Sequence, residues 1–515
     1  MLPLDPLLDR VRPLLAAHDQ PAYLVGGVVR DALLGRANHD IDLIVPGDAI
    51  PLAFRLARAL GLPAYRLDEE RDVGRIVEPG GSTTLDIARF RGATLADDLG
   101  ARDFTINALA LPVAARAAEE VIDLHDGRAD LAAGRLQIIH ATSIADDPVR
   151  ALRAARFTVQ LGFRPTEETI AAARAAAPEL PGRVSPERVR DELNRLLATP
   201  APEQAVALLE EWGLLGPVLP EIAALAGVAQ SPPHHEAVLP HTLSVLRALV
   251  AIERWLDGTR VAAAWTPAVA RTLAAHRPAL IAHLDAPIDG GLNARQLLRW
   301  SALFHDSGKP ATQTRDDDGR LRFLGHDEAG ARLTSARLNH FRFSAEAVRR
   351  ARDTVAGHMR PLHLALDGRP PSRRAIYRYY RALREAGVDV VLLSLADHLA
   401  TYDGPGPEDS WAALLAVATA LLDAYFTAYH ETVAPARLLN GQEIMALLDI
   451  GPGPQLGQLL AALEEAQAAG EVTTRAEATA VLESRFGVQY DREENLTPRR
   501  KDRQAQKDSV LGVLA

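Results

Sequence analysis

Read from its N-terminus, the chain opens with apolar runs of strand length rather than helix length. Residues 23–25, 41–45, 84–88 and 121–124 carry this character and alternate with helical spacing, the pattern of an α/β unit. From about residue 141 the apolar positions follow helical periodicity, broken by proline-containing loops near 181, 200, 217 and 232, which predicts an all-α C-terminal two thirds. The expected fold class is therefore α+β, an α/β head followed by helical modules. At 515 residues the chain is too long for one ordinary core and divides into several domains. The segments SPPHHEAVLPHT, near 231, and TYDGPGPEDS, at 401–410, bracket one of them. The expected boundaries are 1–140, 141–228, 229–410 and 411–490, with a charged stretch at 491–515 that has little to bury and is expected to be mobile.

Residues Tyr23 to Val45, YLVGGVVRDALLGRANHDIDLIV, join a strand end, a Gly-Gly turn, a helix start and an Asp-x-Asp strand. Gly26-Gly27 lets the backbone turn tightly and approach a phosphate with no Cβ in the way. Val28 to Leu34 reads as a short helix whose first amides face that phosphate, and Arg30 adds a bidentate, charge-assisted contact. Asp40 and Asp42 stand two apart on a β-rich run, so both carboxylates leave one face of a strand. Side by side they repel, and Mg²⁺ suits them, held by a few carboxylates plus the phosphate oxygens of a substrate. Asp-x-Asp alone reads more readily as a solvated strand end. The Gly-Gly-x-x-Arg-Asp element just upstream reverses that balance.

The block closely resembles the signature of class II tRNA nucleotidyltransferases and bacterial poly(A) polymerases, whose head is polymerase-β-like. Further stretches resemble the family's later motifs in order: ARDFTINALAL at 101–111, DLHDGRADLAAGRLQII at 123–139, DDPVRALRAARFTVQLGF at 146–163 and RVSPERVRDELNRLL at 183–197. One departure is Ala101, where the family usually has the first of two consecutive arginines. The resemblance implies addition of CMP and AMP from CTP and ATP to the tRNA 3′ end. In it Gly26, Gly27, Arg30 and Arg102 hold the triphosphate, and Arg153 and Arg156 contact the nucleotide. Asp86 would be a third strand carboxylate that helps deprotonate the 3′ hydroxyl; equally open is an Asp86 paired with Arg89 or Arg91. Asp147 and Arg150, three apart, offer an acceptor and a donor fork at fixed separation, as reading a base edge requires. Asp147 before Pro148 is also a good helix N-cap, so both roles stand. The connection RGATLADDLGA before Arg102 is short. A longer flexible loop accompanies full CCA addition in the family, so a CC-adding enzyme is the alternative.

Composition sharpens the picture. The net charge is −10, awkward for a phosphate-backbone partner, so basic groups must be concentrated. Arg89, Arg91, Arg102, Arg150, Arg153 and Arg156 all lie in or beside the motifs. The chain has no cysteine, which excludes disulfides, thiolate zinc sites and a cysteine nucleophile. No secretory segment and no membrane-spanning apolar run are read from the sequence, and a cytoplasmic location with no membrane partner is the expectation.

A second chemistry begins at His241. His241 in HTLSVLRAL, the adjacent His305-Asp306 in ALFHDSGKP, and Asp397 in SLADHLA resemble in order the HD metal-dependent phosphohydrolases. Such a ligand set suits a divalent transition metal or Mg²⁺, which lowers the pKa of a bound water. His326 and His358 extend it toward a second metal, whereas His234 and His235, in a Pro-rich loop, read as solvated. A rival of another class is that the chain is chiefly an HD phosphohydrolase with an RNA-binding head. Another is a regulatory scaffold that binds triphosphate without turnover.

Overall fold

The computed structural model describes residues 2–17, 20–36, 38–80 and 83–484. The charged stretch from about residue 490 lies outside the described residues. The chain forms two compact units. One holds residues 1–228 with 336–343, and the other holds 229–335 with the residues from 344 onward.

The first unit is built on a seven-stranded mixed sheet of β1 (Tyr23–Val25), β2 (Asp40–Val45), β3 (Ala64–Asp68), β4 (Val73–Val77), β5 (Thr84–Arg89), β6 (Leu109–Pro112) and β7 (Ile122–Asp123), in the order β3-β4-β5-β2-β1-β6-β7. Only the β2–β5 pair is parallel; each other pair in the order is antiparallel. Strands β3, β4 and β6 were not among those read from the sequence. β3 lacks the apolar content that marks a buried strand, because it is the sheet edge and Tyr65 and Leu67 face solvent.

Helices α1 (Leu7–Ala16), α2 (Gly27–Leu33), α3 (Ala49–Leu60), α4 (Leu95–Gly100), α5 (Gly127–Ala133), α6 (Ser143–Asp146) and α7 (Val149–Leu161) follow in chain order among these strands and after them. Leu24, Val25, Leu43, Ile44 and Val45 are buried, each stabilising by roughly 1.5–3 kcal/mol relative to exposure. Val25, Ile44, Phe90, Leu99, Ala108 and Ala110 form one cluster, which ties α4 to the sheet beside Asp42. After α7 the unit is helical, with helix Pro186–Leu197 packed on α7.

The second unit is a helical assembly with two small hairpins, Pro287–Asp289 with Leu292–Asn293 and Thr314–Arg315 with Leu321–Arg322. These short strands, and Arg164–Pro165 in the first unit, correct the all-α expectation. Helix Glu408–Phe426 corrects another. It is 19 residues long and apolar enough by length and composition to cross a membrane. Here it packs against helices Arg360–Ala365 and Ala386–Thr401, with Trp411, Leu414, Val417 and Leu421 buried.

Candidate active site and metal centre

Asp40 and Asp42 leave the same face of β2 while Ile41 and Leu43 fill the core. Parallel pairing places Asp42 opposite Asp86, and the row continues through Arg75 on β4 to Tyr65 on β3. Directly opposite residues share a sheet face, so four polar side chains line up across it. Arg75 donates to both Asp86 oxygens at 2.6 Å, from Nε and from Nη2. The partner of Asp86 is thus Arg75, not Arg89 or Arg91, a pairing that only strand order creates. Protein packed around Asp42 pushes its carboxyl up to about 6 although solvent reaches the side chain; Arg102 opposes the rise, and Asp86 and Asp40 add to it. A site that resists adding a second negative charge matches the chemistry of a cation-binding pair.

Gly26 turns with φ 72°, and a Cβ there would lie 3.0 Å from Arg102 Nη1 and 3.6 Å from Asp42 Oδ2. Glycine keeps this corner open between a cation and the carboxylates. Gly27, by contrast, is the first helical residue of α2. Asp98 holds Arg102 through Nε at 3.0 Å and Nη2 at 2.9 Å, which leaves Nη1 toward the turn. Asp98 comes from α4, whose start is fixed by a Thr94–Asp97 capping box.

Three predicted contacts are redrawn by burial. Arg30 is buried with its fork on Asp31, at 2.8 and 2.9 Å, and on Asn107 Oδ1, at 2.8 Å. It organises the turn rather than reaching out of it. Arg153 donates to Asp103 at 2.7 Å, and Arg156 pairs with Glu192. Asn107 donates to Asp103 at 3.0 Å, so a continuous polar relay runs from α7 through the second motif to α2. The relay holds the Asp103 carboxyl well below its ordinary range: burial opposes ionisation, and Arg153, then Asn107, overcome it. Arg30, Arg153 and Arg156 also surround the Phe157 ring at 5.1, 5.4 and 4.1 Å. A buried guanidinium needs paired acceptors, and these arginines have them.

The Asp147 side chain caps no amide of α7. Asp147 closes α6 with an extended backbone (φ −144°, ψ 92°), Pro148 precedes the first residue of α7, and the Asp147 carboxylate accepts from Arg188 at 2.7 Å. Arg150 Nε lies 4.0 Å from that carboxylate. The Arg150 fork donates to the carbonyls of Ser143 at 2.9 Å, Arg102 at 3.2 Å and Ala101 at 2.8 Å. These bonds use three of the five N–H groups of the guanidinium and fix its position while Nε faces Asp147. Arg188, Arg75 and Asp98 escaped the sequence reading, since nothing in their spacing announces partners that the fold brings from elsewhere.

The second unit gathers every predicted HD residue. His241 comes from helix Val238–Leu256, His305 and Asp306 follow helix Ala294–Phe304, Asp397 comes from helix Ala386–Thr401, His326 begins helix His326–His340, and His358 ends helix Ala345–Gly357. His241 Nε2 is 3.0 Å from Asp397 Oδ1 and 3.8 Å from Asp306 Oδ2, and His305 Nε2 is 3.3 Å from Asp306 Oδ2. These atoms are buried without a well-formed hydrogen bond, with Lys309 Nζ 2.6 Å from Asp306 Oδ2 as an ion pair. Gly308 makes the approach possible, because a Cβ there would sit 2.1 Å from the His326 carbonyl oxygen.

His326 and His358 face each other, Nε2 to Nε2, at 3.2 Å. Their Nδ1 atoms meet the carbonyls of Phe323 at 2.8 Å and Val355 at 2.7 Å, and a carbonyl only accepts, so each Nδ1 carries the proton. Burial, then His305 and His326, push the His358 pKa down to about 4. In the neutral form of both rings two lone pairs then face one another, with Asp306 Oδ1 3.5 Å from His326 Nε2, an arrangement that fits a bound cation. His241, His305 and Asp306, and separately Asp306, His326 and His358, are close enough to share an ion. The centre opens into a cavity of about 460 Å³ that Lys309, Arg320, Phe323, Leu324 and Leu366 help to line. His234 also lines it, 4.7 Å ring to ring from His241, and is half-buried rather than solvated as expected. His235 is exposed.

Comparison with known proteins finds recognised families over both parts of the chain. Residues 22–137 match the poly A polymerase head domain, 162–225 a probable RNA and SrmB-binding site of polymerase A, and 268–402 the HD domain. An A-adding tRNA nucleotidyltransferase of Deinococcus radiodurans is 36% identical over 479 residues, 92% of this chain and 98% of the relative. A CC-adding tRNA nucleotidyltransferase of Thermus thermophilus is 36% identical over 470 residues, covering 90% and 93%. A solved CCA-adding enzyme in complex with CTP shares the fold, with a TM-score of 0.54 and 20% identity over 94% of this chain and 96% of that one. The chain belongs to the family of tRNA nucleotidyltransferases that carry a poly(A) polymerase head and an HD domain.

Proposed function

We propose that this chain transfers CMP and AMP from CTP and ATP to the 3′ hydroxyl of tRNA, without a nucleic-acid template and with release of pyrophosphate. The observation that carries the reading is the Asp42–Asp86 pairing beside the Gly26 corner that Arg102 faces. Asp40 and Asp42 would hold Mg²⁺, which supplies charge neutralisation at the triphosphate and activation of the hydroxyl. The Gly26 corner accepts a phosphate, and Arg102 grips it with the nitrogen that Asp98 leaves free. Asp147 accepts from the exocyclic amine that cytosine and adenine share and uracil and guanine lack at that edge, while Arg150 donates beside it. Arg30, Arg153 and Arg156 act as positioning residues through the buried relay. Residues 1–140 serve as the head, 141–228 as neck, 229–410 as HD domain and 411–490 as body, in a cytoplasmic setting where these nucleotides and tRNA occur.

The test offers tRNAs that end before the first C, after one C and after both, with labelled CTP and ATP. A completed CCA end is the expected result, and no extension of any substrate would overturn the head assignment. A second reading, arrest after CC, has a specific observation behind it. Only residues 90–94 separate β5 from α4, and a capping box fixes the start of α4, so little of this connection is free to move.

For the HD centre we propose phosphoester hydrolysis. His241, His305, Asp306 and Asp397 would hold a divalent metal, with His326 and His358 completing a second position. Among candidates, Mn²⁺, Ni²⁺, Fe²⁺ and Mg²⁺ suit these donors. Hydrolysis that survives Asp42→Ala and disappears in His305→Ala is the expected signature. The converse pattern of loss would refute it.

A further inference from the structure

Two guanidiniums converge on one short piece of backbone in the head, from which a third extends. Arg91 Nη1, from the connection after β5, donates to the Ala101 carbonyl at 3.3 Å. Arg150 Nη2, from α7, donates to the same oxygen at 2.8 Å, and its Nη1 donates to the Arg102 carbonyl at 3.2 Å. Arg102 itself extends from this segment to the Gly26 corner and Asp42. The carboxylate that touches the group is Asp98, which takes the Arg102 fork and the Arg91 backbone N–H at 3.1 Å. Asp147, 4.0 Å from Arg150, is already neutralised by Arg188 at 2.7 Å.

Three cations against one shared anion leave the cluster positive, and like charges held this close are costly unless an anion joins them. Crowding by the surrounding protein and then the charge of Arg102 push the Arg91 pKa below the ordinary arginine range, with Asp98 opposing and Arg150 adding to the fall. Yet the Arg91 side chain is exposed, and among the described residues its side-chain hydrogen bond is the long one to the Ala101 carbonyl. Its fork is therefore available to a ligand. Ala101, the residue at the centre, is exposed and carries no charge.

We propose that Arg91 is a further triphosphate-binding residue of this chain, gripping the incoming nucleotide together with Arg102 and supplying from the β5–α4 connection the cation that position 101 lacks. The inference rests on the reading of the Gly26 corner as the triphosphate site. A planar guanidinium suits the task because it binds phosphate oxygens in pairs.

Steady-state addition of CMP to a tRNA ending before the first C tests it, with CTP and tRNA varied separately and pyrophosphate as inhibitor. Arg91→Ala is expected to raise KM for CTP about tenfold, to weaken pyrophosphate inhibition by a similar factor, and to leave kcat and KM for tRNA within about threefold, as loss of uniform binding requires. Arg91→Lys should recover part of the loss, and adding Ala101→Arg to Arg91→Ala should recover most of it. Arg102→Ala separates the two levels. If Arg102→Ala leaves KM for CTP unchanged, the triphosphate site itself is wrong. If Arg102→Ala raises it while Arg91→Ala does not, or if Arg91→Ala raises KM for tRNA instead, the assignment of Arg91 falls.

Discussion

Stripping divalent metal from the protein should loosen its second unit, and the size of the effect follows from the His326–His358 pair. Both Nδ1 protons are committed to backbone carbonyls, so when both rings are neutral their Nε2 atoms present lone pairs at 3.2 Å. Protonating His358 does not relieve this near neutral pH, because its pKa lies at about 4. Asp306, His305, His241 and Asp397 are buried beside the pair. A cation bound only to the folded state stabilises it by about 2.7 kcal/mol when its free concentration is a hundred times Kd. For a unit of this size each kcal/mol moves Tm by roughly 2–4 °C. Adding saturating Mn²⁺ or Ni²⁺ to chelator-treated protein should therefore raise the melting transition of this unit by about 5–10 °C. Differential scanning calorimetry resolves it. His326→Ala combined with His358→Ala should shrink the shift, and Asp306→Ala should abolish it. An unchanged transition in wild-type protein across chelator and all four metals would refute the reasoning, since the facing lone pairs would then be tolerated without a cation.

Other outcomes follow from the same geometry. Asp42→Ala should abolish nucleotide addition while the melting transition of the second unit stays within about 1 °C, because the residue is at the surface of the first; retained addition in a tRNA extension assay would sink the assignment of the pair. Arg150→Ala should cut discrimination of CTP over UTP at least tenfold while KM for CTP changes by less than about threefold; equal selectivity in competition assays would remove its template role. Arg299→Ala strands the buried Glu253 carboxylate, whose Arg299 partner donates from Nε at 3.0 Å and Nη2 at 2.5 Å. Burial already raises that carboxyl's pKa. A loss of about 3–5 kcal/mol is expected in urea denaturation, and a loss below about 1 kcal/mol would show that Glu253 finds another partner. Replacing both residues by leucine should cost much less than Arg299→Ala alone.

Local chemistry was legible wherever the acting atoms lie close in sequence. Asp40 and Asp42 share a face because strand periodicity is two, and Gly26-Gly27 announces a tight turn because few other residues reach its φ. The adjacent His305-Asp306 pair and the Gly308 behind it are legible for the same reason. Spacing along the chain says nothing, however, about partners that arrive from other elements. That Asp86 faces Asp42 depends on β2 and β5 pairing in parallel, and that Arg75 then claims Asp86 depends on β4 lying beyond β5. The Asp147 carboxylate meets Arg188 rather than an amide of α7, and Arg153 and Arg156, read from the sequence as nucleotide contacts, have Asp103 and Glu192 as protein partners. In the buried cases the reason is that desolvating a guanidinium demands a paired acid, and tertiary packing decides which acid is within reach. His326 and His358 were read from the sequence as extending the set toward a second metal, with nothing in their spacing to show how they meet. Only the meeting of two helix ends turned them into facing lone pairs, and with them into a place for a cation.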